Sequence, residues 1–194
     1  MGKIYCICGK SSTGKDTIYK RIMADEALNL KTIVPYTTRP IREGEQNGRE
    51  YFFVDDAEAG RLEAEGKVVE SRAYNTIHGI WKYMTVDNGD IDLSNNDYLI
   101  IGTLESYLDC RDYFKEDNIC PIYIEVDDGI RLERALMRER KQENPRYEEL
   151  CRRFLADAND FSEEKLAKAG IKESFVNDNL EECIDKVKNF ILNN

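Results

Sequence analysis

The sequence is poor in histidine, proline and long apolar runs, and these shortages exclude several classes of protein. Its 194 residues include one histidine, four prolines and one tryptophan. With one histidine and no CxxC pair among the six cysteines, a zinc site of the usual Cys/His type has too few ligands. No apolar run approaches the roughly 20 residues that cross a bilayer, and the N-terminus lacks the apolar region of a signal peptide. We therefore expect a cytoplasmic protein with reduced, mostly buried thiols.

Basic residues are fewer than acidic ones. The chain carries 28 Lys and Arg against 38 Asp and Glu, a net charge of −10. This balance argues against nucleic acid or an anionic membrane as the main partner. A small anionic ligand remains compatible with the balance where arginines cluster locally. The expected partner is thus a small molecule, and the expected state is a monomer or homodimer.

Predicted strands and helices alternate along the chain. The expected strands cover residues 3–8, 51–55, 68–74, 79–86, 97–103, 120–126 and 173–177. The expected helices cover residues 14–28, 56–67, 104–115, 128–142, 146–168 and 180–192. This alternation predicts an α/β fold with a parallel sheet covered on both faces. The stretch from about 35 to 95 is richer in short strands, which indicates an insertion into that core.

A phosphate-binding motif follows the first predicted strand. Residues 9–17 read GKSSTGKDT, the G-x4-G-K pattern placed between a strand and a helix. Gly9 and Gly14 permit a backbone path on which successive N–H groups point at an anion, and the helix N-terminus adds about half a positive charge. Lys15 supplies a full charge for the outer phosphates. The predicted nucleotide site comprises Gly9, Ser11, Ser12, Thr13, Gly14, Lys15, Asp16 and Thr17.

The residue after the lysine departs from the motif. Asp16 stands where a Ser or Thr hydroxyl is expected to meet Mg²⁺. Its carboxylate could hold the ion, because Mg²⁺ prefers hard oxygen ligands, or it could cap the start of the helix. Thr17 could supply the displaced hydroxyl instead. We expect a functional variant of the motif, with Asp16 and Thr17 as the metal-binding candidates.

A second anion site is indicated by the segment TTRPIREGEQNGREYFFV at residues 37–54. Arg39 and Arg42 can converge as bidentate forks on one phosphate, and Tyr51 offers a hydroxyl nearby. Composition alone would equally describe a solvated, charged loop.

This segment closely resembles the signature T-T-R-x-x-R-x-G-E-x-x-G-x-x-Y-x-F-V of guanylate kinases. The resemblance extends to the phosphate loop, to VVE at 68–70, to the arginines of 131–153 and to FVND at 175–178. It implies a P-loop NTPase three-layer sandwich of the NMP kinase type. It also implies a core of residues 1–34, 97–128 and 155–194, an inserted NMP-binding lobe at about 35–96 and a lid at about 129–154. The implied reaction is Mg²⁺-dependent transfer of the γ-phosphoryl group of ATP to GMP.

The resemblance also implies roles for individual residues. Arg39, Arg42 and Tyr51 would hold the GMP phosphate, with Glu45 orienting the arginines. Glu70 would accept hydrogen bonds from the guanine N1–H and amino group, and Asn177 would border the adenine of ATP. The implied lid and catalytic residues are Lys15, Arg134, Arg138 and Arg153, and further acceptor-binding positions are His78 and Thr103.

Several positions that recognise the base depart from the family pattern. Pro35 replaces a serine, the family's Tyr-Gly-Ser/Thr becomes His78-Gly79-Ile80, and Ile101 and Thr103 replace two aspartates. Losing several buried hydrogen bonds, each worth about 0.5–1.5 kcal/mol, should weaken guanine discrimination. Two alternatives therefore stay open: a related kinase acting on another NMP or a phosphosugar, and a non-catalytic binding module of the same fold. The retained Lys15 and lid arginines argue against the binding module.

Overall fold

A computed structural model gives the fold of residues 2–76 and 79–194. Nine strands are assigned within this part of the chain: β1 Ile4–Cys8, β2 Lys31–Thr32, β3 Tyr36–Thr37, β4 Phe52–Phe53, β5 Val68–Thr76, β6 Gly79–Val86, β7 Tyr98–Ile101, β8 Ile119–Glu125 and β9 Phe175–Val176. Seven α-helices accompany them: α1 Lys15–Met23, α2 Asp56–Ala64, α3 Leu104–Phe114, α4 Asp128–Glu139, α5 Tyr147–Asp160, α6 Glu163–Lys168 and α7 Leu180–Leu192.

The core sheet is parallel, with the order β2-β7-β1-β8-β9. Strand β1 lies at its centre and pairs with β7 and β8, so that Ile4 lies beside Tyr98 on one side and Ile119 on the other. All five residues of β1 are buried, as expected for a strand covered on both faces. The glycine loop follows β1 at the carboxyl ends of the parallel strands, where such folds usually bind their ligands.

Apolar clusters cover both faces of this sheet. On one face, Ile18 and Ile22 of α1 and Val187 of α7 pack against Tyr5 and Ile7. The opposite face carries a second cluster, which includes Cys6, Cys8, Tyr107, Cys110 and Phe161. The result is the predicted three-layer α/β sandwich.

A second sheet, with the order β4-β3-β6-β5, lies within the predicted insertion. Its longest pairing is the antiparallel hairpin of β5 and β6, in which Arg72 lies opposite Tyr83. Met84 and Val86 pack with Ala59 and Leu62 of α2 on one face. Since side chains alternate along a strand, Glu70, Arg72 and Tyr83 project from the opposite face.

Several predicted helix boundaries were wrong. The helix expected over 146–168 is two helices, because Phe161 stacks on Tyr123 with ring centroids 5.7 Å apart and Ser162 caps α6. The helix expected over 14–28 ends at Met23, and Asp25 caps a separate turn. The six thiols form no disulfide among the described residues, and four are buried. Within the same residues, no helix combines the length and hydropathy needed to span a bilayer.

Candidate active site

The loop between β1 and α1 has the backbone geometry of an anion cradle. Gly9, Ser12 and Gly14 have positive φ angles of 154°, 65° and 85°. A Cβ at Gly9 would lie 2.5 Å from the carbonyl oxygen of Ile124, and one at Gly14 would lie 2.6 Å from Nδ2 of Asn177. Both glycines are thus required by the close approach as well as by the turn. The loop ends in the N-terminus of α1, as the motif predicted.

Asn177 braces this loop from behind. It is 3% exposed, and its Nδ2 donates to the carbonyl oxygen of Thr13 at 2.7 Å. Its own N–H donates to the carbonyl oxygen of Glu125 at 2.8 Å, which fixes β9 against β8. Thr13 Oγ1 in turn donates to the Lys10 carbonyl oxygen at 2.9 Å. In this structure Asn177 supports the loop backbone, and a contact with adenine remains a prediction.

Polar groups in the loop fit a nucleoside triphosphate. Ser12 Oγ is buried and has no hydrogen-bond partner in the part of the chain that the structure describes. Burial lowers the pKa of Lys15, with Asp16 and Asp157 opposing that effect and Arg153 adding to it. An orphaned hydroxyl and a desolvated ammonium in a loop of this backbone geometry are suited to phosphate oxygens.

An acidic side chain that the sequence did not reveal also contacts the loop. The N–H of Ser11 donates to Oδ2 of Asp157 on α5 at 2.8 Å. Arg131 on α4 is 1% exposed, donates to the Ser11 carbonyl oxygen at 2.9 Å and lies 3.4 Å from Oδ2 of Asp157. Asp128 accepts from Arg131 and from Lys10. Helices α4 and α5 are therefore tied to the loop, and one loop amide is engaged by a carboxylate.

Two of the three predicted lid arginines lie near the loop. Nη2 of Arg134 donates to the Asn177 carbonyl oxygen at 3.3 Å. Arg153 on α5 is close enough to influence the charge of Lys15. Arg138 lies one turn after Arg134 on α4 and is exposed. Arg134 and Arg153 therefore lie near the loop, whereas no contact links Arg138 to it among the described residues.

The second predicted anion pocket is built around a buried arginine. Arg39 is 3% exposed, and its Nη2 and Nη1 atoms donate to the two Glu45 oxygens at 2.8 and 3.1 Å. Its guanidinium lies over the rings of Tyr51 and Phe53, at 5.4 and 5.5 Å from their centroids. The Arg42 N–H donates to Glu45 at 2.8 Å, and the Arg42 side chain is exposed. Glu45 therefore joins the Arg39 side chain to the Arg42 backbone, and its role in orienting both arginines toward an acceptor stays a prediction.

Glu70 has a different environment from the one its predicted role requires. Its side chain is 1% exposed and forms a bidentate ion pair with Arg72, with N–O distances of 3.0 and 3.2 Å. Thr85 Oγ1 donates to the same carboxylate at 2.8 Å. Nη1 of Arg72 reaches Thr103 Oγ1, the N-cap of α3, at 3.5 Å. Nothing in the sequence marks Arg72 as a site residue, because an arginine two residues from a glutamate on a strand has no distinctive pattern.

The other departures from the family signature lie at several places. Ile80 is 59% exposed on β6, and Ile101 lies at the end of β7 beside Ile7. The carbonyl oxygen of Pro35 accepts from the Phe52 N–H at 2.9 Å, so this residue links β3 to β4. His78 lies outside the described residues.

The first turn of α1 offers two oxygen ligands for a metal. Asp16 and Thr17 are both exposed beside Lys15. The described residues contain no group of three or more His, Cys, Asp or Glu side chains placed to hold an ion. This set fits Mg²⁺, which usually takes one or two protein ligands and completes its shell with phosphate and water. It does not fit a zinc centre.

Comparison with known proteins agrees with this geometry. The sequence profile described as Guanylate kinase matches residues 1–80. The guanylate kinase of Oleidesulfovibrio alaskensis is 31% identical over 189 residues, which cover 96% of this chain and 85% of the relative. That of Mycoplasma mobile is 32% identical and covers 98% of this chain and 92% of the relative. The chain belongs to the guanylate kinase family.

A solved guanylate kinase shares the fold. The crystal structure of guanylate kinase from Anaplasma phagocytophilum superposes with a TM-score of 0.69 at 19% identity, covering 98% of this chain and 84% of the other. At that identity the match establishes the P-loop NMP kinase fold alone. The Glu70–Arg72 pair and the Ser11–Asp157 contact are accordingly features to be explained within a guanylate kinase architecture.

Proposed function

We propose that this chain transfers the γ-phosphoryl group of ATP to GMP, giving ADP and GDP. The proposal rests mainly on the phosphate-binding loop of Gly9, Ser12 and Gly14, with Lys15 at the start of α1. It is supported by family membership over nearly the whole chain. Phosphoryl transfer requires mainly positioning and positive charge, which amides, ammonium and guanidinium groups supply.

On the donor side, the residues of the loop hold the phosphates. Backbone N–H groups and Ser12 Oγ bind phosphate oxygens, and Lys15 neutralises the outer charge. Asp16 and Thr17 would hold Mg²⁺, which would supply positive charge to the phosphates. Arg134, Arg138 and Arg153 approach the migrating group from α4 and α5. The NMP-binding lobe at about 35–96 and the lid at about 129–154 would close over the core. Closure would exclude water from the reaction.

On the acceptor side, guanidinium groups hold the monophosphate. Arg39 and Arg42 bind its oxygens, Tyr51 donates its hydroxyl, and Glu45 keeps Arg39 in place. Burial raises the pKa of Tyr51, so the phenol remains a hydrogen-bond donor at neutral pH. The phosphate end of an anionic acceptor would thus meet Arg39, Arg42 and the Tyr51 hydroxyl as hydrogen-bond donors.

A coupled assay of ADP formation tests the proposal. With Mg²⁺ and ATP, the panel comprises GMP, dGMP, IMP, AMP, CMP, UMP and hexose phosphates. Turnover of GMP with catalytic efficiency far above that of hexose phosphates supports the proposal. Turnover of a phosphosugar, with no turnover of any nucleoside monophosphate, would overturn the proposal. ATP binding with no ADP formed for any acceptor would also overturn it.

A further inference from the structure

The face of β5 and β6 that is turned away from α2 presents a guanidinium rather than a carboxylate. Glu70 lies in a buried position with its side chain 1% exposed, whereas the paired Arg72 is 17% exposed. Both Glu70 oxygens already accept hydrogen bonds, from Arg72 and from Thr85. A base can therefore donate to Glu70 only after Arg72 has left. The accessible member of the pair is the arginine.

Arg72 also lies beside the predicted phosphate pocket. It pairs across the hairpin with Tyr83, whose ring lies 5.7 Å from that of Tyr51. Burial raises the pKa of Tyr51, and the positive charges of Arg39 and Arg72 act in the opposite direction on the same phenol. Arg72 is thus near the residues that would hold the acceptor phosphate, and its contact with Thr103 ties it to the core.

The orientation of the guanidinium determines what it can bind. Its Nε and Nη2 atoms donate to Glu70, so this side of the fork is used. The opposite end carries Nη1, whose bond to Thr103 is long at 3.5 Å, and the second Nη2 hydrogen, and the Tyr74 side chain is also within hydrogen-bonding reach of the guanidinium. This end can donate two parallel hydrogen bonds to a ligand that displaces Thr103 and Tyr74. Arginine donates to the O6 and N7 atoms of guanine in this bidentate way.

We propose that Arg72, held by Glu70, recognises the O6 and N7 acceptor edge of a 6-oxopurine in the acceptor nucleotide. This inference rests on the proposed function. A donor-only group requires hydrogen-bond acceptors, and guanine and hypoxanthine present the same O6 and N7. Adenine places an amino donor beside N7 and is disfavoured. The 2-amino group, which distinguishes GMP from IMP, is not recognised while Glu70 is engaged.

The catalytic efficiencies of the wild-type enzyme for GMP, IMP and AMP test this inference directly. GMP and IMP are expected to agree within tenfold, with AMP at least a hundredfold lower. A GMP preference over IMP above tenfold would overturn the inference and leave the proposed function intact, as would use of AMP within tenfold of GMP. Absence of turnover with every nucleotide would instead overturn the proposed function, and the inference with it.

Replacing the arginine supplies a second test. Arg72→Ala exposes the Glu70 carboxylate, which can then accept from the guanine N1–H and 2-amino group. The GMP to IMP ratio of kcat/KM should rise at least fivefold, while IMP efficiency falls. Arg72→Gln, which retains a donor to Glu70, should change the ratio less and covers the case in which Arg72→Ala fails to fold. If a folded Arg72→Ala enzyme keeps the wild-type ratio, the pair is only a structural tie and the inference is wrong.

Lys82→Ala is the matched control. Lys82 lies on the neighbouring strand, and its Nζ pairs with Glu63 of α2 at 2.7 Å, on the opposite face of the same sheet. The substitution removes one cation from the lobe without touching the Glu70–Arg72 face. Its GMP to IMP ratio should equal that of the wild type. An equal shift in both variants would show a general charge effect and would contradict recognition by Arg72.

Discussion

The donor loop and the acceptor face, which is formed by Arg39, Glu45, Glu70 and Arg72, would each hold part of a nucleotide. They would do so by different means. The donor loop uses backbone amides fixed by Gly9 and Gly14, with the ammonium group of Lys15 at the start of α1. The acceptor face uses side chains from separate segments, and each buried guanidinium is already paired, Arg39 with Glu45 and Arg72 with Glu70. A backbone site is encoded locally, whereas a side-chain site depends on which residues the fold brings together. The loop should therefore be the more sensitive to loss of charge, and the acceptor face to loss of a partner.

The largest expected effect is at Lys15, the lysine of the G-x4-G-K pattern. Lys15→Met removes the charge and keeps most of the length, and kcat should fall about a hundred- to a thousandfold. Because burial lowers the pKa of Lys15, its charge is costly in the fold, and the melting temperature should not fall. Steady-state kinetics and thermal melting measure both. The exposed Lys20→Met on the same helix is the control, and a Lys15→Met enzyme within tenfold of wild type would contradict the assignment.

The next effect is at the buried pair of the acceptor face. Arg39→Ala leaves Glu45 without its bidentate partner and should cost about 2 kcal/mol of unfolding free energy, between the values for a buried and a surface pair. The KM for GMP should rise at least tenfold. Arg42→Ala, at an exposed side chain of the same segment, should raise KM without lowering stability. Denaturant unfolding and kinetics distinguish the two variants. Equal unfolding free energies for Arg39→Ala and Arg42→Ala would show that Arg39 does not stabilise the segment.

A smaller effect is expected where the acidic side chain contacts the donor loop. ATP must compete with Asp157 for the Ser11 N–H, and the carboxylate lies near Lys15. Asp157→Asn removes the negative charge and keeps an acceptor, so the Kd for ATP should decrease about threefold or more. Titration calorimetry measures it, with Asp160→Asn near the end of the same helix as control. Weaker ATP binding by Asp157→Asn alone would mean that the carboxylate supports the nucleotide-binding conformation.

The smallest effect concerns pH. Because burial holds the pKa of Lys15 below its ordinary 10.5, the folded protein binds fewer protons at this site than the unfolded chain between the two values. Stability from this group therefore rises with pH across that window. The stability difference between the wild type and Lys15→Met should therefore increase as the pH rises toward 10.5. A difference that stays constant or falls with pH would show that Lys15 is not desolvated.

The sequence was informative where structure depends on neighbouring residues. The glycine loop, α7 at 180–192 and β6 at 79–86 were predicted correctly, since turn chemistry and periodicity are local. The break at Phe161 was missed because it depends on a stacking partner, Tyr123, from another strand. Arg131 is buried against Asp157, a contact that its spacing from Arg134 does not indicate. Such partners are far apart in the chain, so spacing gives no indication of them.

The residues of the acceptor face differ in the same way in how far the sequence indicates them. The signature at 37–54 identified Arg39, Arg42 and Glu45 because they lie close together in sequence. It could not indicate that Arg72 occupies the Glu70 carboxylate, because that pairing depends on the side-chain arrangement of the hairpin and on Thr85 and Thr103. The assignments of individual site residues therefore remain predictions until variants are measured.

The most direct measurement is a single-turnover reaction in which the enzyme is mixed with Mg²⁺, ATP labelled in its γ-phosphate, and GMP. The account predicts that the label leaves ATP and appears in the β-phosphate of GDP, in an amount equal to the ADP formed. Label released only as inorganic phosphate, or retained in bound ATP while GMP is present, would contradict a transfer between the donor loop and the acceptor face.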